Sequence, residues 1–315
     1  MSELILALDI GGTKIAAGLV DRRGELVHSA RRPTPDADPN EPGGQGVPSE
    51  EIWQVVDGLI TGVVTAARGM VCGVGISSAG PIDTREGTIS PLNIRPWRRF
   101  PIRKMVSAAV PNVAVRLAGD AVCVALGEHW RGAGTGSRFM LGAVVSTGIG
   151  GGLLLDGVPY HGRAGNAGHI GHVVVEPDGP PCACGGRGCV ESVASGPRIA
   201  MWARENGWSA PVTAGADQLA DDAKAGDPVA LAAFRRSGAA VGRMIASVAA
   251  VCDIDLAVVG GGVAQAGPLL FDPLREAVAT HARLDFLEGL RVVPAQLSEA
   301  GLVGAASLIV REASG

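Results

Sequence analysis

One histidine and three cysteines fall in the spacing His172-x9-Cys182-x-Cys184-x4-Cys189. An imidazole and three thiolates complete a tetrahedral zinc site, leaving no position for a reacting water. The chemistry expected of them is therefore structural: the ion folds a loop and activates nothing. A different chemistry is offered by Asp9-Ile10-Gly11-Gly12-Thr13-Lys14. Backbone amides of Gly11 and Gly12, the Thr13 hydroxyl and the Lys14 charge can cradle phosphate oxygens. Asp9, closing an apolar run, suits a magnesium ion through its water shell. Read alone, the same stretch is also an ordinary tight hairpin.

Two further glycine turns bear on that choice. Ser146 to Gly152, with Thr147, Gly148 and Gly150, offers amides to a second part of the same polyphosphate. Gly260-Gly261-Gly262 follows the apolar run Leu256–Val259, where bare backbone at Gly261 and Gly262 can lie against an adenine ring. Each is weak alone; in this order and spacing they point to a bound nucleotide. Asp120, between a strand and a helix, has two readings, as a helix N-cap and as a general base.

The elements that must carry these residues follow from apolar periodicity and turn residues. Strands are expected over 3–9, 14–20 and 25–31, forming an antiparallel meander with the glycine pair in its first turn. Residues 33–48 contain five prolines and are expected to form a mobile surface loop. A helix over 50–68 with Ser49 as its cap comes next, followed by a strand over 71–77 and the turn Ala79-Gly80-Pro81. A helix over 101–109, a strand over 112–118 and a helix over 121–131 continue a βα order, which implies a mixed sheet with helices on its faces. Strand–glycine turn–strand recurs at 139–146 and 151–155. Helices near 216–250, a strand over 256–259 and a closing strand and helix to about 312 complete the chain. The repeated glycine hairpin predicts an α/β protein of two related lobes. Their expected limits are 1–118 plus 300–315 for the smaller, and 119–299 for the larger, which contains a zinc-binding insert at 165–196.

Composition agrees with such a protein. The chain has 315 residues, 47% hydrophobic but only 3% aromatic, so its cores must be aliphatic, with glycine allowing close backbone approach. A net charge of −4 without a basic block argues against nucleic acid as a partner. Neither a secretory n-region nor an apolar run of ~18 residues is present, so a cytoplasmic location and no membrane partner are expected. Cys72, Cys123 and Cys252 lie in apolar surroundings and are expected to be buried thiols rather than disulfides. His28 and His161, the turn Trp97-Arg98-Arg99, and Glu128 with Arg131 are expected at the surface.

These features together resemble the ROK family, named for repressors, open reading frames and sugar kinases, within the actin-like ATPase superfamily. The likeness runs from Leu6 to about Val310, and its most specific stretch is Cys182-Ala183-Cys184-Gly185-Gly186-Arg187-Gly188-Cys189-Val190-Glu191. It implies a two-lobed actin-like (ribonuclease H-like) fold with ATP and a sugar in the cleft, and phosphoryl transfer from ATP with magnesium to a sugar hydroxyl. The resemblance makes Asp120 the base and places the turn Ser78–Pro81 (Ala79 and Gly80 within it), Asn93, His172 and Glu191 around the sugar. It also implies a homo-oligomer, a dimer or tetramer.

The sequence departs from the glucokinase pattern at three positions. Gly119 stands where an Asn is common, Val122 where another is common, and His169 where glucokinases carry a Glu in the segment here reading Gly168-His169-Ile170-Gly171-His172. His169 resembles N-acetylmannosamine kinases, and a ring that can donate in place of an acceptor-only carboxylate favours a different substituent at one sugar carbon. A non-catalytic sugar-binding member is the alternative, supported only by Gly119 and Val122. Family repressors carry a helix-turn-helix ahead of the first strand, for which a strand starting by residue 4 leaves no room. The zinc insert argues against a filament-forming protein.

Overall fold

The apolar run Leu4–Leu8 becomes the centre of a five-stranded sheet in the computed structural model, which describes residues 3–35, 47–67 and 69–312. In chain order the elements are β1 (Glu3–Ile10), β2 (Lys14–Asp21), β3 (Leu26–Pro33), α1 (Ser49–Ala66), β4 (Met70–Ser78), the two-residue strands β5 (Ile82–Asp83) and β6 (Thr88–Ile89), α2 (Ile102–Ala109), β7 (Ala114–Gly119) and α3 (Asp120–Arg131). The sheet runs β3-β2-β1-β4-β7. The β1–β2 and β2–β3 pairs are antiparallel, and β4 runs parallel to both β1 and β7. β1 is apolar along nearly its whole length because both faces are covered, whereas β3 at the edge exposes most of its residues. α1 buries the stripe Ile52, Trp53, Val56, Leu59, Ile60 and Val63 against this sheet's core.

A second sheet repeats the plan. It is built from β8 (Met140–Val145), β9 (Ile149–Leu155) and β10 (Val158–Pro159), then, after α4 (Val190–Ala194), α5 (Gly196–Glu205), α6 (Ala216–Lys224) and α7 (Pro228–Cys252), from β11 (Leu256–Gly260) and, beyond α8 (Pro268–His281), β12 (Arg291–Pro294). The order β10-β9-β8-β11-β12 matches the first sheet strand for strand, with an antiparallel β8–β9 hairpin and parallel β8–β11 and β11–β12 pairs. α7 begins at Asp227, whose carboxylate accepts the Ala230 amide at 2.8 Å, with Pro228 in the first turn. The chain closes with α9 (Ala300–Glu312).

The chain divides into two compact units. The first holds residues up to Thr135, Pro159–Ala167 and Leu297 onward; the second holds Gly136–Val158 and Gly168–Gln296. The boundary expected at 118/119 thus falls after Thr135, the return at 300 moves to Leu297, and residues 165–167 of the expected insert belong to the first unit. The reason is small-residue packing: a side chain at Gly304 of α9 would collide with the Cys123 carbonyl of α3, and one at Gly75 of β4 with the Ala305 carbonyl. α3 and α9 therefore touch backbone to backbone, which ties α3 to the first sheet.

Several local expectations are corrected. α1 begins at Ser49 with Pro48 in the cap position, so Ser49 is not the cap. The helices expected near 216–250 are present as α6 and α7, the second running on to Cys252. Gly150, Gly151 and Gly152 lie in β9 rather than in the turn, which is confined to Ser146–Gly148. Trp97 is 0% exposed and stacks on Phe100 at 4.2 Å, because the first unit's core needs an aromatic there. Glu128 is also 0% exposed: its carboxylate accepts the Ala133 amide at 2.9 Å and the Leu297 amide at 2.7 Å, holding both ends of the first unit's chain. His161 is half-buried, as are Cys72 and Cys252, while Cys123 is fully buried. The middle of the expected loop at 33–48 and the end of the helix at Arg68 lie outside the described residues.

Candidate functional site

In the first unit, β1 and β2 deliver Asp9 and Lys14 to the two ends of a turn closed by the Gly11 amide donating to the Lys14 carbonyl at 3.0 Å. Thr34, just past β3, clasps this turn twice. Its hydroxyl donates to the Gly11 carbonyl at 2.8 Å and its amide to the Thr13 carbonyl at 3.1 Å. Asn93 lies directly against Gly12, where any side chain would collide with it. The Ala79 amide donates to the Ile10 carbonyl at 3.0 Å, so the turn through Gly80 sits beside Gly11. Five expected residues thus meet around one backbone turn, with Thr13 and Lys14 exposed beside them.

Asp9 is cross-strand partner to Ser77 of β4, whose hydroxyl donates to Asp9 Oδ1 at 2.6 Å. Burial raises the Asp9 carboxyl above its ordinary range. Ser77 and the Lys14 charge oppose this, and Glu299 adds to it. Asp120 is the first residue of α3, with Gly119 in the cap position, and its exposed carboxylate accepts the Ala121 amide at 2.7 Å. It is therefore not the N-cap. One helical turn on, the buried Cys123 thiol is held well above the usual thiol range by burial and then by the Asp9 charge. The Ser77 hydroxyl opposes these and Asp120 adds a smaller push. Ser77 and Asp9 are bonded directly, and Asp120 follows Gly119 at the same end of the sheet, since Ile10, Ser78 and Gly119 are in register across β1, β4 and β7. Sequence reasoning missed Ser77 and Thr34, which read as an apolar strand's end and as part of a loop.

In the second unit, one ligand atom from each of His172, Cys182, Cys184 and Cys189 lies within 4.8 Å of all the others. His172 Nδ1 faces Cys182 Sγ at 3.7 Å, and Cys184 Sγ lies 3.8 Å from Cys189 Sγ. The donor set itself tests the fit of a cation. A backbone hydrogen bond from Gly186 lowers the Cys184 thiol, while burial and its two thiol neighbours push Cys189 up to about 12. Three thiolates cannot ionise together at such separations unless a cation offsets their charge, and zinc with one imidazole does so. His169 lies beside His172, ring centroids 6.3 Å apart.

Cys189 caps α4, so the cluster sets the helix that bears Glu191. Glu191 Oε2 accepts the Ile149 amide at 2.8 Å, against the turn of Thr147 and Gly148. That turn is fixed from the other side by the Gly196 amide donating to the Ser146 carbonyl at 2.8 Å. Gly261, at φ 96° where glycine alone is at ease, packs on the Val145 backbone, and Gly262 comes near the Ser146 hydroxyl. The second and third glycine motifs therefore adjoin. Gly150 stands apart from them in β9, paired with Val144.

A duplicated five-stranded sheet with a glycine turn in each copy, Asp9 and Asp120 at one end of the first sheet and a cysteine–histidine cluster in the second unit define a two-lobed protein of the actin-like fold. The chain belongs to the ROK family, whose profile matches residues 5–312. It is 35% identical to a glucokinase of Thermotoga maritima, covering 99% of this chain and 98% of that one. It is also 35% identical to an N-acetylmannosamine kinase of Yersinia pseudotuberculosis, covering 96% of each. Among solved structures, a ROK family glucokinase from Streptomyces griseus, crystallised with glucose and AMPPNP, matches at a TM-score of 0.80 and 32% identity, over 97% of this chain and 98% of that one.

Proposed function

We propose that this protein is an ATP-dependent kinase that phosphorylates a hydroxyl of a hexose or N-acylhexosamine. The observation that carries the reading is the placing of Asp9 and Asp120 at the same end of the first sheet, where Ile10, Ser78 and Gly119 are in register across β1, β4 and β7, in a chain whose relatives are glucokinases and N-acetylmannosamine kinases. Phosphoryl transfer asks little covalent help of a protein; it needs an in-line hydroxyl, neutralised phosphate charge and exclusion of water. Asp120 accepts the proton of the sugar hydroxyl as its oxygen bonds to the γ-phosphorus, and the bond to the β-phosphate oxygen breaks to release ADP. Amides of Gly11 and Gly12, with Thr13 and Lys14, hold phosphate oxygens. Amides at Thr147 and Gly148 hold others, with Gly150 behind them, and Gly261 and Gly262 present bare backbone to the adenine. Magnesium carried by ATP supplies neutralising charge at the phosphates, and Asp9 would hold it through water.

Ala79, Gly80, Asn93, His169, His172 and Glu191 are assigned to the sugar. His172 turns Nδ1 to the cysteines, which leaves Nε2 for a hydroxyl. Zinc is the cation assigned to His172, Cys182, Cys184 and Cys189, in a structural role. Among the described residues no helix is long and apolar enough to cross a membrane. We place the protein in the cytoplasm as a dimer or tetramer.

The test is ADP release with magnesium and ATP across glucose, mannose, fructose, N-acetylglucosamine and N-acetylmannosamine. Preference for an N-acetylated sugar ties His169 to acyl recognition. Preference for glucose makes Gly119, Val122 and His169 tolerated variations on a glucokinase site. Release with none of them, from protein that retains zinc and binds ATP, overturns the kinase reading in favour of a non-catalytic sugar-binding member.

A further inference from the structure

Asp9 is enclosed from three sides by elements that are far apart in the chain. On the β4 side, Ser77 is its register partner, is 0% exposed, and donates its hydroxyl at 2.6 Å. On the α9 side, Gly301 admits no side chain, since a Cβ there would lie 2.8 Å from Asp9 Oδ2 and 3.1 Å from Oδ1. On the α3 side lies Cys123, fully buried, whose thiol the Asp9 charge helps to hold above its usual range. A carboxylate rotates about a broad, roughly two-fold torsion, so packing alone does not select which oxygen faces which way. A short hydrogen bond to one oxygen does, and bonds to an ionised acceptor are the strong ones.

We propose that Ser77 is a positioning residue for phosphoryl transfer: its hydroxyl locks Asp9 in one orientation beside the first glycine turn. This rests on the reading of Asp9 as the carboxylate that holds hydrated magnesium. Serine suits the place because its oxygen reaches a cross-strand neighbour without filling space, and β4 is otherwise apolar from Val74 to Ile76 apart from Gly75. A hydroxyl within a closed apolar run is costly unless it is bonded, and Asp9 supplies the acceptor.

Two variants and one control test it. Ser77→Ala removes the donor, and Ser77→Cys replaces it with a weak one of similar size, guarding against a packing defect. Binding of Mn²⁺·ATP in the absence of sugar is measured by calorimetry, alongside KM for Mg·ATP and for sugar. We expect nucleotide–metal binding to weaken and KM for Mg·ATP to rise about tenfold in both variants, with the sugar KM unchanged. Wild-type Mn²⁺·ATP affinity in a folded Ser77→Cys protein overturns the proposal, as does an equal rise in both KM values. Asp9→Asn separates the two levels. If it leaves Mn²⁺·ATP binding intact, the role given to Asp9 fails and Ser77 with it. If Asp9→Asn weakens binding and Ser77→Cys does not, only the Ser77 inference fails.

Discussion

The first and second units solve the same problem with different materials. Each has a five-stranded sheet of the same order and a glycine turn joining its central antiparallel pair. In the first unit the turn is held by neighbours in the sheet: Thr34 bonds to Gly11 and Thr13, and Ser77 to Asp9. In the second, the turn at Thr147–Gly148 is held by Glu191 from a short helix that starts at a cysteine of the cluster. The five-residue helix α4 is too short to persist by its own hydrogen bonds. A duplicated scaffold thus keeps its turn where the sheet braces it, and needs an added brace where the sheet does not. Asp9 and Asp120 both belong to the first unit, whereas the carboxylate that holds the second unit's turn is Glu191.

The difference is broken most severely by removing the metal. Structural zinc in small finger peptides contributes roughly 10–16 kcal/mol of apparent binding energy, so chelation is expected to unfold the segment from His172 to Glu191. Amide exchange should accelerate there and at Ile149, while the amides of residues 9–14 keep their protection. Equal loss of protection in both turns would refute a brace confined to the second. Metal analysis of fresh protein should find zinc. Its retention should strengthen with rising pH, because Cys189 without metal keeps its proton up to about 12 and binding must release it.

The carboxylates come next. Asp120→Asn is expected to lower kcat by roughly 10²–10⁴-fold, the range for a lost general base, with ATP binding retained. A wild-type rate would remove Asp120 from the mechanism. Asp9→Asn should also cost activity yet stabilise the fold at neutral pH. The folded Asp9 pKa is raised above its unfolded value, chiefly by burial. Its stabilising contribution is therefore full below the unfolded pKa and lost as pH rises through the folded one. An Asn has no charge to bury, so its advantage in thermal midpoint should be present at pH 7 and fade as the solution is acidified. Thermal melts of both proteins across pH check the sign.

What could be read from the sequence was whatever depended on spacing. The cluster residues were legible because four ligands fall within eighteen positions, and the sheet repeat because glycine pairs interrupt two apolar runs in the same way. What could not be read depended on partners distant in sequence. Glu128 looks like a solvated helix residue until amides at 133 and 297 are brought to it. Trp97, in a basic turn, gives no sign that it fills a core. The unit boundary was misplaced because α3 is held by α9, through close contacts that need glycine at 304 and at 127. Ser77 is one of two serines that end an apolar strand, and its meaning comes from register with Asp9, which no local pattern reveals.

The smallest expected effect compares the two braces directly. Thr34 is 7% exposed, and its hydroxyl makes one hydrogen bond to the Gly11 carbonyl. Thr34→Ala removes a neutral bond worth about 1 kcal/mol, so KM for Mg·ATP should rise several-fold while Thr34→Ser, which keeps the hydroxyl, stays near wild type. The backbone bond from the Thr34 amide to Thr13 survives either change, which limits the damage. Glu191→Ala removes the charged acceptor from the Ile149 amide and leaves that amide bond unmade. Bonds to charged groups are worth about 1.5–3 kcal/mol, so its effect on nucleotide binding should exceed that of Thr34→Ala. Should Thr34→Ala prove the more damaging, the Thr34 brace would be the stronger and the cluster helix the weaker, and the second turn would depend on its added brace less than the first depends on Thr34.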